Sequence, residues 1–168
     1  MITRSHIKGD AASTAVYSDC MCLRYSLTRV WKNEGRRLLF VMLNPSTATE
    51  IQNDPTVERC ERRARHLGFG AFCVTNIIAF RATDPKDLRR APQPIGPHND
   101  QAIADATLWA DEIIAAWGVH GAHMNRGPEV AKTLRAATRE VYHLGLSKDG
   151  HPRHPLYLPY AQQPVLWE

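Results

Sequence analysis

The segment "KDGHPRHPLYLP", Lys148 to Pro159, concentrates the side chains best suited to chemistry near neutral pH. Two His-Pro pairs, His151-Pro152 and His154-Pro155, bracket Arg153. Histidine can hydrogen-bond a developing anion or move a proton, and proline stiffens the loop that carries it. Leu156 and Tyr157, just behind, are side chains of the kind that wedge into a stack of bases. The plain alternative is a proline-rich surface segment with incidental histidines.

Three further clusters carry groups of similar use. In "MLNPSTA", Met42 to Ala48, the Asn44 amide can both donate and accept, so it can orient a water or pair with a base edge. Pro45 and Ser46 would then shape the same pocket, although Asn44-Pro45 also reads as an ordinary turn. In "NDPT", Asp54 is either a general base or a helix cap. In "TNIIAFRATDP", Asn76 stands inside an apolar run, where burial demands hydrogen-bond partners. It either bonds backbone or reads a base. Phe80 either stacks on that base or belongs to the core. Arg81 either holds a phosphate or lies on the surface.

These clusters need a scaffold, and the hydrophobic pattern supplies one. Cys22 to Trp31 reads as a strand. "LLFVML", Leu38 to Leu43, is a continuous apolar run that suits a strand buried on both faces. Asp54-Pro55 opens a helix that stops at Gly68. Phe72 to Phe80 reads as a second buried strand, and Arg81 to Pro97 as a loop. A helix is expected from His98 or Asn99 to Ala110. Glu112 to Trp117 reads as a third strand, ended by Gly118. A helix from about Pro128 to Thr138 and a strand from Val141 to Leu146 complete the pattern. Residues 1–10 read as a flexible tail.

Strands alternating with helices predict βαβ units. The expected fold is one three-layer α/β/α domain over residues 1–168, with a central, mainly parallel, four-stranded sheet. Ligands of such sheets bind outside the carboxyl ends of the strands, and each polar cluster follows a strand.

Composition narrows the class. A chain of 168 residues with 43% hydrophobic content can bury a core without staples. No apolar run is long enough to span a bilayer, and no signal peptide is read at the start, so no membrane partner and a cytoplasmic location are expected. The net charge of +4 is compatible with a polyanion and decides nothing more. Cys20, Cys22, Cys60 and Cys73 lack zinc or iron–sulfur spacing, so no metal is expected and the thiols read as reduced. No glycine-rich dinucleotide fingerprint is present. No cofactor and no obligate protein partner are expected, with a monomer as the default.

Together the clusters resemble the uracil-DNA glycosylase superfamily, in particular its mismatch uracil and thymine branch. From Cys22 to Leu158 the chain also resembles a family of small bacterial and phage domains suspected of belonging to it. The resemblance implies a uracil-DNA-glycosylase-like fold and cleavage of an N-glycosidic bond in DNA. It implies that Asn44 of "LNPS" positions the attacking water. It implies that His154, with Pro155 and Leu156, forms the His-Pro loop, with His151 as the rival. Asp54 would assist the water, and Asn76 and Phe80 would hold the base. His154 or Arg153 would stabilise the leaving base, Arg81, Gly118 and Lys148 would meet the DNA backbone with Arg153 beside them, and Leu156 or Tyr157 would wedge into DNA. The Gln-Asp-Pro-Tyr motif of the most active uracil enzymes is absent and the His-Pro loop carries an inserted Arg-His, so the implied base is a modified or damaged one. The implied role is repair, or defence against phages with modified DNA. An enzyme of free nucleotides or nucleosides, and an inactive nucleic-acid-binding module, are the alternatives.

Overall fold

The apolar run Leu38 to Met42 becomes the middle of the sheet. The computed structural model describes residues 1–137 and 140–168. In it β4 (Arg37–Met42) lies between β5 (Ala71–Asn76) and β6 (Glu112–Ala115), parallel to both. β7 (Val141–His143) extends the parallel set beyond β6. Leu38, Leu39, Phe40 and Val41 are all fully buried, as a strand covered on both faces requires.

The expected four-stranded sheet is the parallel centre of a larger one. The observed sheet has eight strands in the order β1-β2-β3-β5-β4-β6-β7-β8, and it is mixed. β1 (Ile2–Lys8), β2 (Ala11–Tyr17) and β3 (Arg24–Val30) form an antiparallel meander on the β5 edge. β8 (Val165–Leu166) pairs antiparallel with β7. Residues 2–8 are therefore a strand, not a tail. They carry no apolar signal because β1 is an edge strand whose side chains are mostly exposed. β2 escapes notice for a related reason: of its buried positions, Ala11, Ser13, Ala15 and Tyr17, all but the last are small. The two-residue turn Gly9-Asp10, with Gly9 at φ +61°, joins them as a tight hairpin.

The helices cover both faces. α1 (Pro55–His66) buries Val57, Cys60 and Ala64 against Leu38, Phe40, Met42 and Val74. α3 (Asn99–Trp109) and α4 (Arg126–Ala136) bury Ile103, Val130 and Leu134 against Leu39, Val41 and Ile113 on the opposite face. Successive strand residues alternate between these two clusters, as the period of two dictates. α4 follows a 3₁₀ segment (Val119–Asn125) and begins at Arg126, before Pro128. The end expected at Thr138 lies outside the described residues. Among the described residues no helix is long and apolar enough to cross a membrane.

Strand β6 ends at Ala115, short of the expected Trp117, and β3 is shorter at both ends than Cys22 to Trp31; three other differences have identifiable reasons. The segment read as a loop from Arg81 to Pro97 holds a short helix, α2 (Pro85–Arg90), capped when Asp84 accepts from Lys86 N at 2.8 Å. β5 ends at Asn76, not at Phe80. Its outgoing carbonyls are taken by side chains: Asn99 Nδ2 donates to the Asn76 and Ile77 oxygens, and Arg126 Nε donates to Ile77 O at 2.9 Å. β7 ends at His143, whose Nδ1 accepts from Gly145 N at 2.9 Å, with Gly145 at φ +112°.

Candidate functional site

The parallel strands deliver their following residues to one rim. Asn44 comes after β4, Asn76 closes β5, Gly118 follows β6 and the two histidines follow β7. Asn44, Pro45, Ser46, Asp54, Asn76 and His154 line one inner cavity of about 40 Å³. His154 also lines a neighbouring groove of about 400 Å³, together with Gly118, Lys148, His151 and Arg153. His154 is thus the wall between two compartments, and His151 faces only the groove.

Asn44 is held by the turn that it opens. Its Nδ2 donates to Ala82 O at 2.8 Å and Pro45 O at 3.0 Å, with a longer contact to Phe80 O at 3.4 Å. Those carbonyls can only accept, so the amide nitrogen must face them. Oδ1 is left as an acceptor and meets no donor among the described residues. It can take a hydrogen bond from a water in the cavity.

Asp54 is a helix cap, the plainer of its two expected roles. Its Oδ1 accepts from Val57 N at 2.8 Å, and its Oδ2 accepts from Ala48 N at 3.1 Å. The carboxylate, 8% exposed, starts α1 and pulls the loop after β4 back onto the sheet. Each oxygen accepts one backbone N–H, the bonding of a cap. It contributes fixed negative charge to the cavity wall.

Asn76 is 2% exposed, and its Oδ1 has no hydrogen-bond partner. A buried amide normally finds partners, because leaving one unmade costs about 1–3 kcal/mol. An unpaired amide at the end of a central strand, facing a cavity, is placed to bond a ligand.

Arg24 also lines this cavity and was not marked by sequence reasoning. It is 1% exposed. Its Nη1 donates to Ala48 O at 2.9 Å, and its Nε is buried without a partner. Burial lowers its pKa to about 10, opposed by the Asp54 charge, so it stays cationic at neutral pH. A β-bulge aims it inward. Ser26 pairs with Val16, yet Arg24 pairs with Tyr17, so Tyr25 is passed over. The bulge puts Arg24 on the α1 face with Cys60 and Val57. A charged residue beside Leu23 and Tyr25 was the available signal, but the face it turns to was not legible.

His154 is a neutral donor. Burial depresses its pKa to about 4, opposed by the Asp54 charge. Leu156 N donates to its Nδ1 at 3.3 Å. The single proton of the neutral ring therefore sits on Nε2. Gly118 suits the turn that carries this loop over β6: it has φ +73°, which side chains rarely adopt, and its N–H donates to Pro152 O at 2.8 Å.

The remaining candidates lie around this centre. Ser46 Oγ pairs with Thr83 Oγ1 at 2.8 Å. Phe80 is partly buried against the α3–α4 cluster and does not line either compartment. Arg81 is spent on structure: Nε contacts Ser46 O at 3.4 Å, Nη1 donates to Met21 O at 3.2 Å, and the guanidinium sits 5.4 Å from the Tyr17 ring. Leu156 is half-buried, whereas Tyr157 is 89% exposed and held at φ +71°. Lys148 and Arg153 are exposed cations at the mouth of the groove.

A larger cavity, about 550 Å³, lies between α3 and the antiparallel strands, lined by Tyr25, Thr28, His98 and Trp109 among others. It contains none of the strand-end clusters, and size alone does not make it the site. Among the described residues no group of His, Cys, Asp and Glu could hold a metal ion.

A family model described as a protein of unknown function (DUF1643) matches residues 24–156. The match runs from Arg24 to Leu156, and so spans every residue of the inner cavity, while β1, β2 and β8 fall outside it. No curated protein and no solved structure matches the chain.

Proposed function

Since the chain belongs to the DUF1643 family, whose description carries no activity, we propose its function from the site itself: a DNA-glycosylase-like hydrolase that removes a modified or damaged base. One observation carries the reading. Asn44, Asn76 and His154, from the ends of three different strands, line a single cavity with complementary groups presented. The likeness to the uracil-DNA glycosylase superfamily, in fold as in motif, is part of the same proposal.

The base edge enters the inner cavity and meets the unpaired Asn76 amide. Sugar and phosphates lie in the groove, near Lys148 and Arg153. Ligand sites typically measure about 300–1,000 Å³. The groove, at about 400 Å³, falls in that range, while the inner cavity, at about 40 Å³, holds little more than a water or two. The loop carrying His154 therefore shifts to admit the ring. Tyr157 fills the gap left in the stack when the nucleotide is flipped, a step costing a few kcal/mol.

In the reaction the bond between the anomeric carbon and the base nitrogen breaks, and both electrons stay on the base. Water held by Asn44 Oδ1 bonds to the anomeric carbon. Its proton ends on the released base. His154 Nε2–H donates to the base as negative charge develops, and such a donor contributes about 10²–10³ in rate.

The test is mass spectrometry of free bases released from DNAs carrying uracil, mismatched thymine, alkylated bases or hypermodified phage bases. Wild type should release one class, and Asn44→Ala and His154→Ala should abolish release. No release from any of them by folded protein sinks the reading. Salt-dependent DNA binding would then indicate a binding module, and its absence an enzyme of free nucleotides.

A further inference from the structure

We propose that the Arg24 guanidinium, on the floor of the inner cavity, touches the departing base and receives it as an anion, which makes Arg24 a catalytic residue of the reaction proposed above. The inference rests on that reading. It adds a group that the motifs do not contain.

Heterolysis leaves a full negative charge on the base until the proton of water reaches it. That charge develops in a cavity whose wall already includes the Asp54 carboxylate. His154 is neutral there, and Asn44 and Asn76 offer only dipoles. Arg24 is the one cation among the residues lining the inner cavity. A buried charge is worth most to a partner in surroundings that exclude water.

Its bonding fits a receptor, not a brace. Arg29 and Arg63 are buried to the same degree and share the unpartnered Nε, but protein oxygens engage both terminal nitrogens of each. They line neither the cavity nor the groove. Arg24 makes one bond, to Ala48 O, and has no carboxylate within ion-pair distance among the described residues. A desolvated guanidinium with donors to spare is an unfavourable arrangement by itself. A base anion seated there would accept from Arg24 Nε, while an N–H remaining on its ring would donate to Asn76 Oδ1.

The test is direct binding of two free bases by calorimetry at mildly alkaline pH. 5-Nitrouracil is ionised there, because its ring substituent withdraws electrons, whereas thymine stays neutral at similar size. Wild type should bind 5-nitrouracil roughly ten- to a hundredfold more tightly, the scale of one charge-assisted hydrogen bond. Arg24→Gln should lose that preference, and Arg24→Lys should keep part of it. If circular dichroism shows that Arg24→Gln is unfolded, Asn76→Asp serves instead: it adds a carboxylate to the same cavity and should abolish the preference. Equal affinities in wild type, a preference that survives Arg24→Gln, or no binding of either base would overturn the assignment. Anion preference without base release from any DNA would instead leave Arg24 as an anion receptor and remove the glycosidic reading.

Discussion

The Asn44 side chain donates to the carbonyl of Ala82 at 2.8 Å, and this bond ties the loop after β4 to the loop after β5. It also decides which end of the amide faces the cavity. Asn44→Asp is isosteric but has no donor, and it sets a carboxylate against carbonyl oxygens. It should destabilise the fold by about 1–3 kcal/mol, seen as a lower midpoint in urea, and abolish base release. Wild-type stability in Asn44→Asp would show that this network does not hold the loops.

His154 links stability to pH. Its folded pKa, about 4, lies below the ordinary histidine value of 6.5. Between these values the unfolded chain binds the proton and the folded one does not, so unfolding is favoured as pH falls. The stability is fully present above about pH 6.5 and is lost progressively toward pH 4, with a ceiling of ~3 kcal/mol from this group. Burial lowers the His143 pKa too, with the same sign. Denaturant melts across this window should show a shallower slope for His154→Asn than for wild type. Identical slopes would mean that the ring is solvated.

Tyr157 combines high exposure with a left-handed backbone, φ +71°. A side chain there carries strain of about 1–2 kcal/mol that glycine avoids, partly offset by the larger entropy of glycine in the unfolded chain. Tyr157→Gly should therefore leave stability unchanged or raise it by up to about 1 kcal/mol. The same variant should weaken DNA binding and base release, measured by fluorescence anisotropy and by free-base analysis. Unchanged function would remove Tyr157 from the DNA-facing surface.

The cysteines should separate by reactivity. Hydrogen bonds from Cys22 and Ser18 lower the Cys20 pKa to about 7, whereas burial raises those of Cys60 and Cys73. Near pH 7 roughly half of Cys20 is thiolate, the reactive form. Limiting iodoacetamide followed by peptide mass spectrometry should find Cys20 labelled first and Cys60 and Cys73 unlabelled. Equal labelling of Cys20 and Cys60 would contradict the burial of α1 against the sheet.

Much of the parallel core was legible. Leu38 to Leu43, Glu112 to Trp117 and the Asp54-Pro55 helix start are local signals: apolar runs and a cap are written in adjacent residues. The grouping of Asn44, Asn76 and His154 followed from one topological rule about strand ends. The edges of the sheet were not legible. β1 is exposed and three of the four buried residues of β2 are small, so neither shows the contrast that a pattern needs.

What the sequence alone determined is the order of buried strands and helices, and the placement of polar clusters after the strands. Both depend on neighbours along the chain. The tertiary structure decided the rest: that each Asp54 oxygen accepts a backbone N–H, that His154 and not His151 lines the inner cavity, and that Arg24 reaches its floor. Each depends on a contact between distant segments. Ala48 must fold back on Asp54, the β7 loop must pack over Gly118, and one bulged residue in β3 must turn Arg24 toward α1. A residue type names the chemistry it can do, but burial and the partner across the fold decide whether it does it.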